Sequence, residues 1–292
     1  NTKEYLSKRK ELIEEYLKMV LPVQDEPQKL HEALWFSMFA GGKRIRAILM
    51  FAIADIAKAP VEKIISSAAG VEMIHTSTLI LDDLPSMDDA LLRRGKPALH
   101  RVYGEAAAII AANILMLEGI HLITSNLVDA IEDKVRLSAI SSELFSEIGK
   151  DGIMLGQFLD LTLSNHKIKA KEVEDIHRRK TASLFKISAK IAAEICGLKA
   201  PESTALINYA VYFGLVFQIS DDILAVEGVP SKTGKMSLAS DKRPNYIDTI
   251  GEKEAKNKMN GYLKSAVDEL KIFKRDADIL VELIGLLKER SA

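Results

Sequence analysis

Two pairs of adjacent aspartates in apolar, helix-patterned surroundings constrain this 292-residue chain more than any other feature. Asp82-Asp83 ends the apolar run 74–81, and Asp221-Asp222 interrupts the apolar run 211–226. Carboxylates that are buried without counterions are very costly, so acid pairs inside such runs are rarely structural. The sequence therefore predicts helices that bring two acid clusters to face each other.

Apolar residues with helical spacing run through almost the whole chain, and no segment sustains strand-like alternation. The chain has only 16 Gly and 8 Pro, which is typical of long helices. The predicted helices cover residues 2–20, 29–39, 43–58, 61–84, 105–128, 132–148, 151–163, 171–197, 201–226, 246–272 and 276–290. Because no repeat or linker is visible, we predict one all-α domain over residues 1–292.

The bulk composition argues against several classes of protein. The net charge of −1 gives no general field that would attract nucleic acid or an anionic membrane surface. The single cysteine, Cys196, excludes an intrachain disulfide and suits a reducing compartment. Residues 105–122 come closest to a membrane span, but polar residues interrupt them. We expect a cytoplasmic protein with no nucleic-acid partner and no stable membrane insertion.

The first acid pair is followed by two more carboxylates and two arginines. Asp88 and Asp89 come after Pro85, and Arg93-Arg94 closes the stretch. Acids so close together repel one another unless a cation compensates them, and Mg²⁺ prefers carboxylate oxygens. Arginine presents a planar fork of donors that suits phosphate oxygens. The stretch predicts a diphosphate site that is held through Mg²⁺.

A second set of basic residues lies upstream. Gly41-Gly42 precedes the helix predicted at 43–58, whose first turn would project Lys43 and Arg46 onto one side. Cations at a helix N-terminus oppose the helix dipole unless an anion lies between them, so this arrangement indicates a bound phosphate group. His75 and Thr78 lie two turns and one turn before Asp82 on nearly the same face, where His75 can contact a ligand.

The second half of the chain repeats the pattern of acids beside bases. Gln157 and Asp160 are polar positions in an apolar helix, so they need partners and face a cavity. Gln218 stands one turn before the second acid pair, and a Gly/Ser-containing basic loop follows it. That loop, 228–240, carries Lys235 and is closed by Asp241-Lys242-Arg243. Lys180, taken alone, reads as a surface lysine.

Six motifs occur in the order of a known family. They are Gly41-Gly42-Lys43-Arg44-x-Arg46, Asp82-Asp83-x-x-x-x-Asp88, Arg93-Arg94-Gly95-x-Pro97, Gly156-Gln157-x-x-Asp160, Lys180-Thr181, and Phe217-Gln218-x-x-Asp221-Asp222. With these motifs the chain resembles the trans-prenyltransferases, the polyprenyl (geranylgeranyl/farnesyl) diphosphate synthases, over essentially its whole length. The resemblance implies a helical bundle around a deep central cavity, usually as a homodimer.

The resemblance also implies the role of each site residue. The catalytic positions are Asp82, Asp83, Asp88, Asp221 and Lys180, and the four aspartates among them are the ligands of Mg²⁺, with three ions in the substrate complex. The allylic diphosphate is contacted by Arg93, Lys180 and Lys235, and the surrounding site includes Thr181, Gln218, Asp222 and Arg243. The diphosphate of isopentenyl diphosphate is held by Lys43, Arg46, His75 and Arg94.

The implied reaction condenses isopentenyl diphosphate with dimethylallyl, geranyl or farnesyl diphosphate. Ser77 and Thr78 are small where shorter-chain synthases carry an aromatic residue, so we expect a C20 product, with C15 or a longer chain as alternatives. Ala225 replaces an acid of the second motif, and Arg243 falls where the family usually has a lysine. A terpene cyclase and a non-catalytic partner subunit are the competing readings.

Overall fold

The computed structural model describes residues 2–22, 28–164, 166–226, 236–237 and 243–290. Helices dominate these residues, which confirms the predicted all-α class. The α-helices are α1 (Thr2–Val20), α2 (Gln28–Met38), α3 (Ile45–Ile56), α4 (Ile65–Asp82), α5 (Leu99–Tyr103), α6 (Glu105–Ala130), α7 (Lys134–Ile148), α8 (Ile153–Thr162), α9 (Ala170–His177), α10 (Ser183–Ile195), α11 (Ala200–Val226), α12 (Tyr246–Ile250), α13 (Glu252–Glu269) and α14 (Asp278–Arg290).

Several helix boundaries differ from the prediction, and one difference concerns the site. The helix predicted at 43–58 begins at Ile45, because Arg44 adopts a left-handed conformation with φ of 53°. Lys43 therefore precedes the helix, and the expectation that Lys43 and Arg46 share its first turn was wrong. The helix predicted at 171–197 is interrupted by a π-helical turn at Arg178–Ala182. Short 3₁₀ turns lie at Val61–Lys63 and Leu270–Ala277.

A small sheet accompanies the helices, although the sequence showed no strand-like alternation. Its strands are β1 (Ala90–Arg93), β2 (Lys96–Pro97) and β3 (Met236–Ser237), in the antiparallel order β2-β1-β3. Strands this short cannot display a period of two, which explains why the pattern did not reveal them. The sheet joins the segment after the first acid pair to the segment after the second.

The apolar core is built around α3. All of its residues from Arg46 to Ala54 are buried, so the middle of the helix is apolar on every side and its charged residues, Arg46 and Asp55, lie in the first and last turns. It packs against α4 and α10, and the buried residues of the described chain form one continuous apolar cluster. A helix buried all round needs neighbours on each side, which the surrounding bundle provides. That the whole chain, 1–292, is one domain stays a prediction.

The crossing of α4 and α6 is the most extensive helix contact among the described residues. Gly70 of α4 and Gly119 of α6 meet there, and a methyl group added to Gly119 would lie 2.6 Å from the carbonyl oxygen of Gly70. Beside them, Ile74 and Ile123 are fully buried. The two helices therefore touch through their backbones, and this contact fixes the wall of the bundle that carries Asp82.

By length and composition, α6 and residues Ala200–Leu224 of α11 are apolar enough to cross a membrane. The expectation that no run reaches that length was therefore wrong on this criterion. Length and composition alone indicate a span only weakly, because 39% and 56% of the two apolar windows are buried inside the protein. A core helix of a bundle passes the same test.

We expect Gly119→Ala to lower the free energy of unfolding by about 1–3 kcal/mol, because the added methyl group must push α4 and α6 apart. Gly261→Ala in α13 is the matched control. Nothing lies within 4 Å of the methyl group added there, so we expect it to stabilise the protein by about 0.5–1 kcal/mol. Urea unfolding of both variants measures the difference, and equal effects would contradict the tight crossing.

Candidate active site

The first acid pair lies where α4 ends and the chain turns toward β1. Asp83 is almost fully buried. Both of its oxygens lie 3.0 Å from Nε of Arg93 and share that N–H in a bifurcated hydrogen bond, and Oδ1 accepts a further bond from Nη2. The turn is closed by backbone bonds from Asp88 to Asp82 and from Ala90 to Asp83. Arg93 therefore stands on β1 as the counterion of the acid pair, and its charge is also stabilised by Asp82 and Asp88.

Arg243 connects this turn to the segment just beyond the end of α8. Its Nη2 donates to Oδ1 of Asp88 and to the carbonyl of Met87, both at 2.9 Å. Its Nη1 donates to Oγ of Ser164, just beyond the end of α8, also at 2.9 Å. Asp88 is buried, so a charge-assisted bond from Arg243 offsets much of the cost of that burial. Asp88, one of the acids that were predicted to bind metal, is therefore paired with Arg243 in this structure.

Lys180 is not a surface residue, contrary to its appearance in isolation. Its Nζ lies 2.6 Å from Oδ2 of Asp160 on α8. Burial alone would lower its pKa, but Asp160, Asp82 and Asp88 outweigh that effect and raise the pKa to about 12. Lys180 is therefore fully charged and within electrostatic reach of the first acid cluster.

The π-helical turn presents Lys180 and Thr181 to opposite neighbours. Gly156 of α8 lies against it so closely that an added methyl group would come 2.2 Å from the backbone nitrogen of Lys180. On the other side, Gly214 of α11 contacts Ala182. A π-turn shifts the register of the following residues, and such turns are frequent at functional sites. Here it lets consecutive residues reach two different acid-bearing helices.

The two aspartates of the second acid pair differ in exposure: Asp222 is buried and Asp221 is half-buried. Thr181 donates to Oε1 of Gln218 at 2.8 Å, and Nε2 of Gln218 donates to Oδ1 of Asp222 at 3.1 Å. The other oxygen of Asp222 accepts from the backbone nitrogen of Tyr246 at 3.1 Å and so caps the start of α12. Burial raises the pKa of Asp222 to about 7. Asp221 beside it is half-buried, and its charge acts on Arg46.

His177 lies behind Asp222, in the interior. Its Nε2 is 3.7 Å from Oδ2 of Asp222, and its ring packs edge-on against Tyr246. Burial, helped by the charge of Lys180, lowers the pKa of His177 to about 3. The imidazole is therefore neutral at physiological pH.

Three arginines lie around the start of α3: Arg44, Arg46 and Arg94. We call them the arginine cluster. Burial lowers the pKa of Arg46 and of Arg94 to about 10 in each case. The guanidinium of Arg46 lies over the ring of Phe185, 4.2 Å from its centroid, and its Nε has no hydrogen-bond partner among the described residues. Arg46 therefore keeps a buried donor available for an incoming anion.

Arg94 and His75 complete the surroundings of this cluster. Arg94 donates to the carbonyl of Gly41, and its guanidinium lies directly on Gly42, where an added methyl group would come 2.7 Å from Cζ. Burial and the neighbouring arginines hold the pKa of His75 well below its usual value, so it is a neutral donor or acceptor. Lys43 is exposed at the edge of this cluster.

The structure thus brings most of the predicted site residues into two neighbouring groups. Ser77 is fully buried on α4, with a hydroxyl that has no partner among the described residues, and Thr78 bonds back to the carbonyl of His75. Lys235 lies outside the described residues, as does the side chain of Ala225.

Sequence reasoning missed Glu72. It is a fully buried carboxylate on the apolar helix α4, and its Oε1 accepts from the backbone nitrogen of Ala47 at 3.2 Å. The signal that revealed Asp221 and Asp222, an acid inside an apolar helical run, applies to Glu72 as well.

The donor chemistry of the acids fits a hard cation such as Mg²⁺, because all the candidate ligands are carboxylate oxygens. Their arrangement does not yet enclose one. Within the described ranges, no three acidic, histidine or cysteine side chains lie close enough together to hold a metal ion. Asp83 is paired with Arg93 and Asp88 with Arg243, so a metal has to displace these cations.

Comparison with known proteins agrees with the fold and with the family resemblance. Residues 27–256 match the family model for polyprenyl synthetase, and the chain belongs to that family. It is 35% identical to a farnesyl diphosphate synthase of Bacillus subtilis, over 98% of this chain and 97% of that protein. It is 34% identical to the large subunit 1 of a heterodimeric chloroplastic geranylgeranyl pyrophosphate synthase of Arabidopsis thaliana, over 97% of this chain and 76% of that protein.

Solved structures show the same architecture. An FPP/GFPP synthase from Zymomonas mobilis superposes with a TM-score of 0.85 at 26% identity, covering 97% of both chains. A geranyltransferase from Legionella pneumophila also gives a TM-score of 0.85, at 27% identity, covering 99% of this chain and 98% of that one.

His177 should contribute a loss of stability on mild acidification. Asp222 contributes in the opposite direction, because its raised pKa favours the folded state as the pH falls, so the effect of His177 is the difference in pH dependence between the wild type and His177→Gln. The His177 pKa of about 3 in the folded state lies below the value of 6.5 for the free side chain, so the unfolded state binds the extra proton first. Between pH 7 and pH 5 the loss from this residue is about 2 kcal/mol. In His177→Gln that part of the pH dependence disappears.

Urea unfolding at the two pH values measures this effect. His121→Gln, which changes an exposed histidine on α6, serves as the control and should keep the wild-type slope. An unchanged pH dependence in His177→Gln would show that the buried imidazole does not resist protonation.

Proposed function

We propose that this chain is a chain-elongating trans-prenyl diphosphate synthase, which condenses isopentenyl diphosphate with an allylic diphosphate. The observation that carries the proposal is the presence of two groups of buried or half-buried cations. One group, Arg93 and Lys180, is paired with acids. The other is the arginine cluster, in which Arg46 keeps a donor unpaired among the described residues. Two separate diphosphates require two such groups.

The allylic diphosphate binds at the acid-lined group. Arg93 and Lys180 exchange their carboxylate partners for phosphate oxygens, and Lys235 adds a further charge. Thr181 and Gln218 are linked to each other by a hydrogen bond and line this site. Asp222 supports it from behind through its bond from Gln218, and Arg243 supports it through Ser164 and Met87.

Magnesium would be held by Asp82, Asp83, Asp88 and Asp221, with three ions in the substrate complex. When bound, Mg²⁺ neutralises the charge that develops on the departing diphosphate. The donor type supports this assignment, and the arginines that now pair with Asp83 and Asp88 show that these positions require positive charge.

Isopentenyl diphosphate binds at the arginine cluster. Arg46 and Arg94 provide buried guanidinium donors, Lys43 adds an exposed charge at the rim, and neutral His75 adds a hydrogen bond. A diphosphate between these groups also relieves the repulsion that now lowers the pKa of Arg94.

The reaction needs no protein nucleophile. Arg93 and Lys180 stabilise the diphosphate as its bond to the allylic carbon breaks, which leaves a carbocation. Arg46, Arg94 and Lys43 hold the second substrate so that its double bond lies beside that carbon and attacks it. A proton is then lost from the new chain to the departed diphosphate, and the product is a diphosphate longer by one C5 unit.

The protein assembles as a homodimer, and the outer face of α6 supports this proposal. Ile110, Leu117 and Val128 lie along that face and are 53%, 66% and 60% exposed. A stripe of large apolar residues on the surface is typical of an interface. A cytoplasmic location and the absence of a nucleic-acid partner remain predictions.

The product is a C20 chain, geranylgeranyl diphosphate, with farnesyl diphosphate as the alternative. A relative named as a farnesyl diphosphate synthase and one named as a geranylgeranyl pyrophosphate synthase subunit are about equally similar to this chain, at 35% and 34% identity. Ser77 and Thr78 favour the longer product, because neither side chain is large enough to block a growing prenyl chain beside α4.

Incubation with Mg²⁺, isopentenyl diphosphate and each allylic primer tests the function directly. We expect elongated diphosphates, no product with a chelator present, and a loss of at least about a hundredfold in kcat for Asp82→Asn, because charge stabilisation of the leaving group is lost. Asp268→Asn, which changes an exposed acid that is paired with Lys271, is the control and should retain full activity. Hydrocarbon products would indicate a terpene cyclase, and inactivity without a second protein would indicate a partner subunit.

We expect Ser77→Phe to shorten the main product from C20 to C15, because the ring must project into the space beside α4. Ser77 is already fully buried, so overpacking should also cost about 1–3 kcal/mol of stability. Ser142→Phe adds the same ring to an exposed position of α7 and should leave the product unchanged. Chromatography of the dephosphorylated products gives the chain length, and an unchanged length in Ser77→Phe would contradict the assignment of Ser77 to the control of chain length.

A further inference from the structure

Arg44 combines three features that are each unfavourable. It is a non-glycine residue in the left-handed conformation, with φ of 53° and ψ of 35°. Its side chain is fully buried, at 0% exposure, and it carries a positive charge to the N-terminus of α3, where the helix dipole is also positive. Strained backbone and buried charge persist only where the surroundings require them, and they concentrate at functional sites.

The side chain of Arg44 joins three helices. Its Nη2 donates to the carbonyl of Met38 at the end of α2, at 2.5 Å, and its Nε donates to Glu14 of α1 at 3.2 Å. Its Nη1 lies 3.7 Å from Oε2 of Glu72 on α4. These contacts tie Arg44 to α1, α2 and α4 and so help to fix the position of its own backbone.

Glu72 completes the same arrangement from the opposite side. Its second oxygen, Oε1, accepts the backbone N–H of Ala47, which belongs to the first turn of α3. The first turn of a helix has N–H groups without partners inside the helix, so a carboxylate from α4 caps α3 here. Arg44 and Glu72 together hold the first turn of α3 in place, and Arg46 stands in that turn.

Glu72 is also the main negative charge acting on Arg46. Burial and Arg94 lower the pKa of Arg46, and among the charges that counter this Glu72 has a larger effect than Asp221. Glu72 acts on Arg46 through its charge. The face of the guanidinium lies on Phe185, and its Nε has no partner in the described part of the chain. Arg46 is thus kept charged and oriented while donors stay available.

We propose that Glu72 and Arg44 are positioning residues for the second diphosphate: they set the affinity for isopentenyl diphosphate by fixing Arg46, without touching the substrate. This inference rests on the proposed function, since it assumes that Arg46 belongs to the isopentenyl diphosphate site. It predicts a selective effect, because Lys180 and Arg93 take their positions from other elements.

The test compares Glu72→Gln with Glu14→Gln. Glutamine at 72 keeps an oxygen that can accept from Ala47 but removes the charge, whereas Glu14→Gln removes the other carboxylate from Arg44 and leaves α3 untouched. We expect Glu72→Gln to raise the KM for isopentenyl diphosphate at least tenfold, with the KM for the allylic substrate and kcat changed less than twofold. Glu14→Gln should change all three values less than twofold. An equal rise in both variants, or in both KM values, would overturn the assignment.

A double variant separates positioning from simple structural support. Arg44→Gln combined with Glu72→Gln removes a buried cation together with its counterion, so we expect Tm to recover relative to Glu72→Gln alone. The KM for isopentenyl diphosphate should stay raised, because Arg46 still lacks its counter-charge. If both Tm and KM return to wild-type values, Glu72 only neutralises Arg44 and the inference fails. If the wild-type protein forms no elongated diphosphate, the proposed function itself fails.

Discussion

The buried arginines beside α3 and β1 repel one another, and much of the surrounding structure holds them together. Arg44 and Arg93 each lower the pKa of Arg94, and Arg94 lowers that of Arg46. Such a group is costly unless negative charge is available. Glu72 supplies part of it from within the fold. In the proposed substrate complex a phosphate group supplies the rest, so the proposed affinity for anions would arise from an incomplete balance of charge that the helices impose.

The buried acids of the candidate active site are balanced by neighbouring cations. Asp83, Asp88 and Asp160 are each buried, and each already has a cationic partner: Arg93, Arg243 and Lys180. None of these pairs is expected to contribute much net stability, because desolvation offsets most of the attraction. In the proposed complex, Arg93 and Lys180 move to phosphate oxygens, and Asp83 and Asp88 accept metal ions in place of their cations. Binding of this kind would exchange one set of ion pairs for another.

The sequence was sufficient for the fold class, which depends on local patterns, whereas the roles of the site residues stay predictions. Apolar spacing identified the helices, and acids within apolar runs identified the two clusters. It failed where the decisive contact is remote. The left-handed conformation of Arg44, which moves the start of α3 past Lys43, depends on Met38 and Glu72. The partner of Lys180 is Asp160, and the π-helical turn that directs it there depends on packing against Gly156 and Gly214.

The contact between Gly70 and Gly119 has a consequence for how synthases of this kind can diverge. Where two backbones already touch, neither helix can retreat to enlarge the space between them, nor advance to reduce it. The scaffold beside Asp82 is therefore invariant in shape, and the room left for a hydrocarbon tail depends on which atoms project from it. Tail length should then change in steps, one side chain at a time, with no gradual drift of the framework.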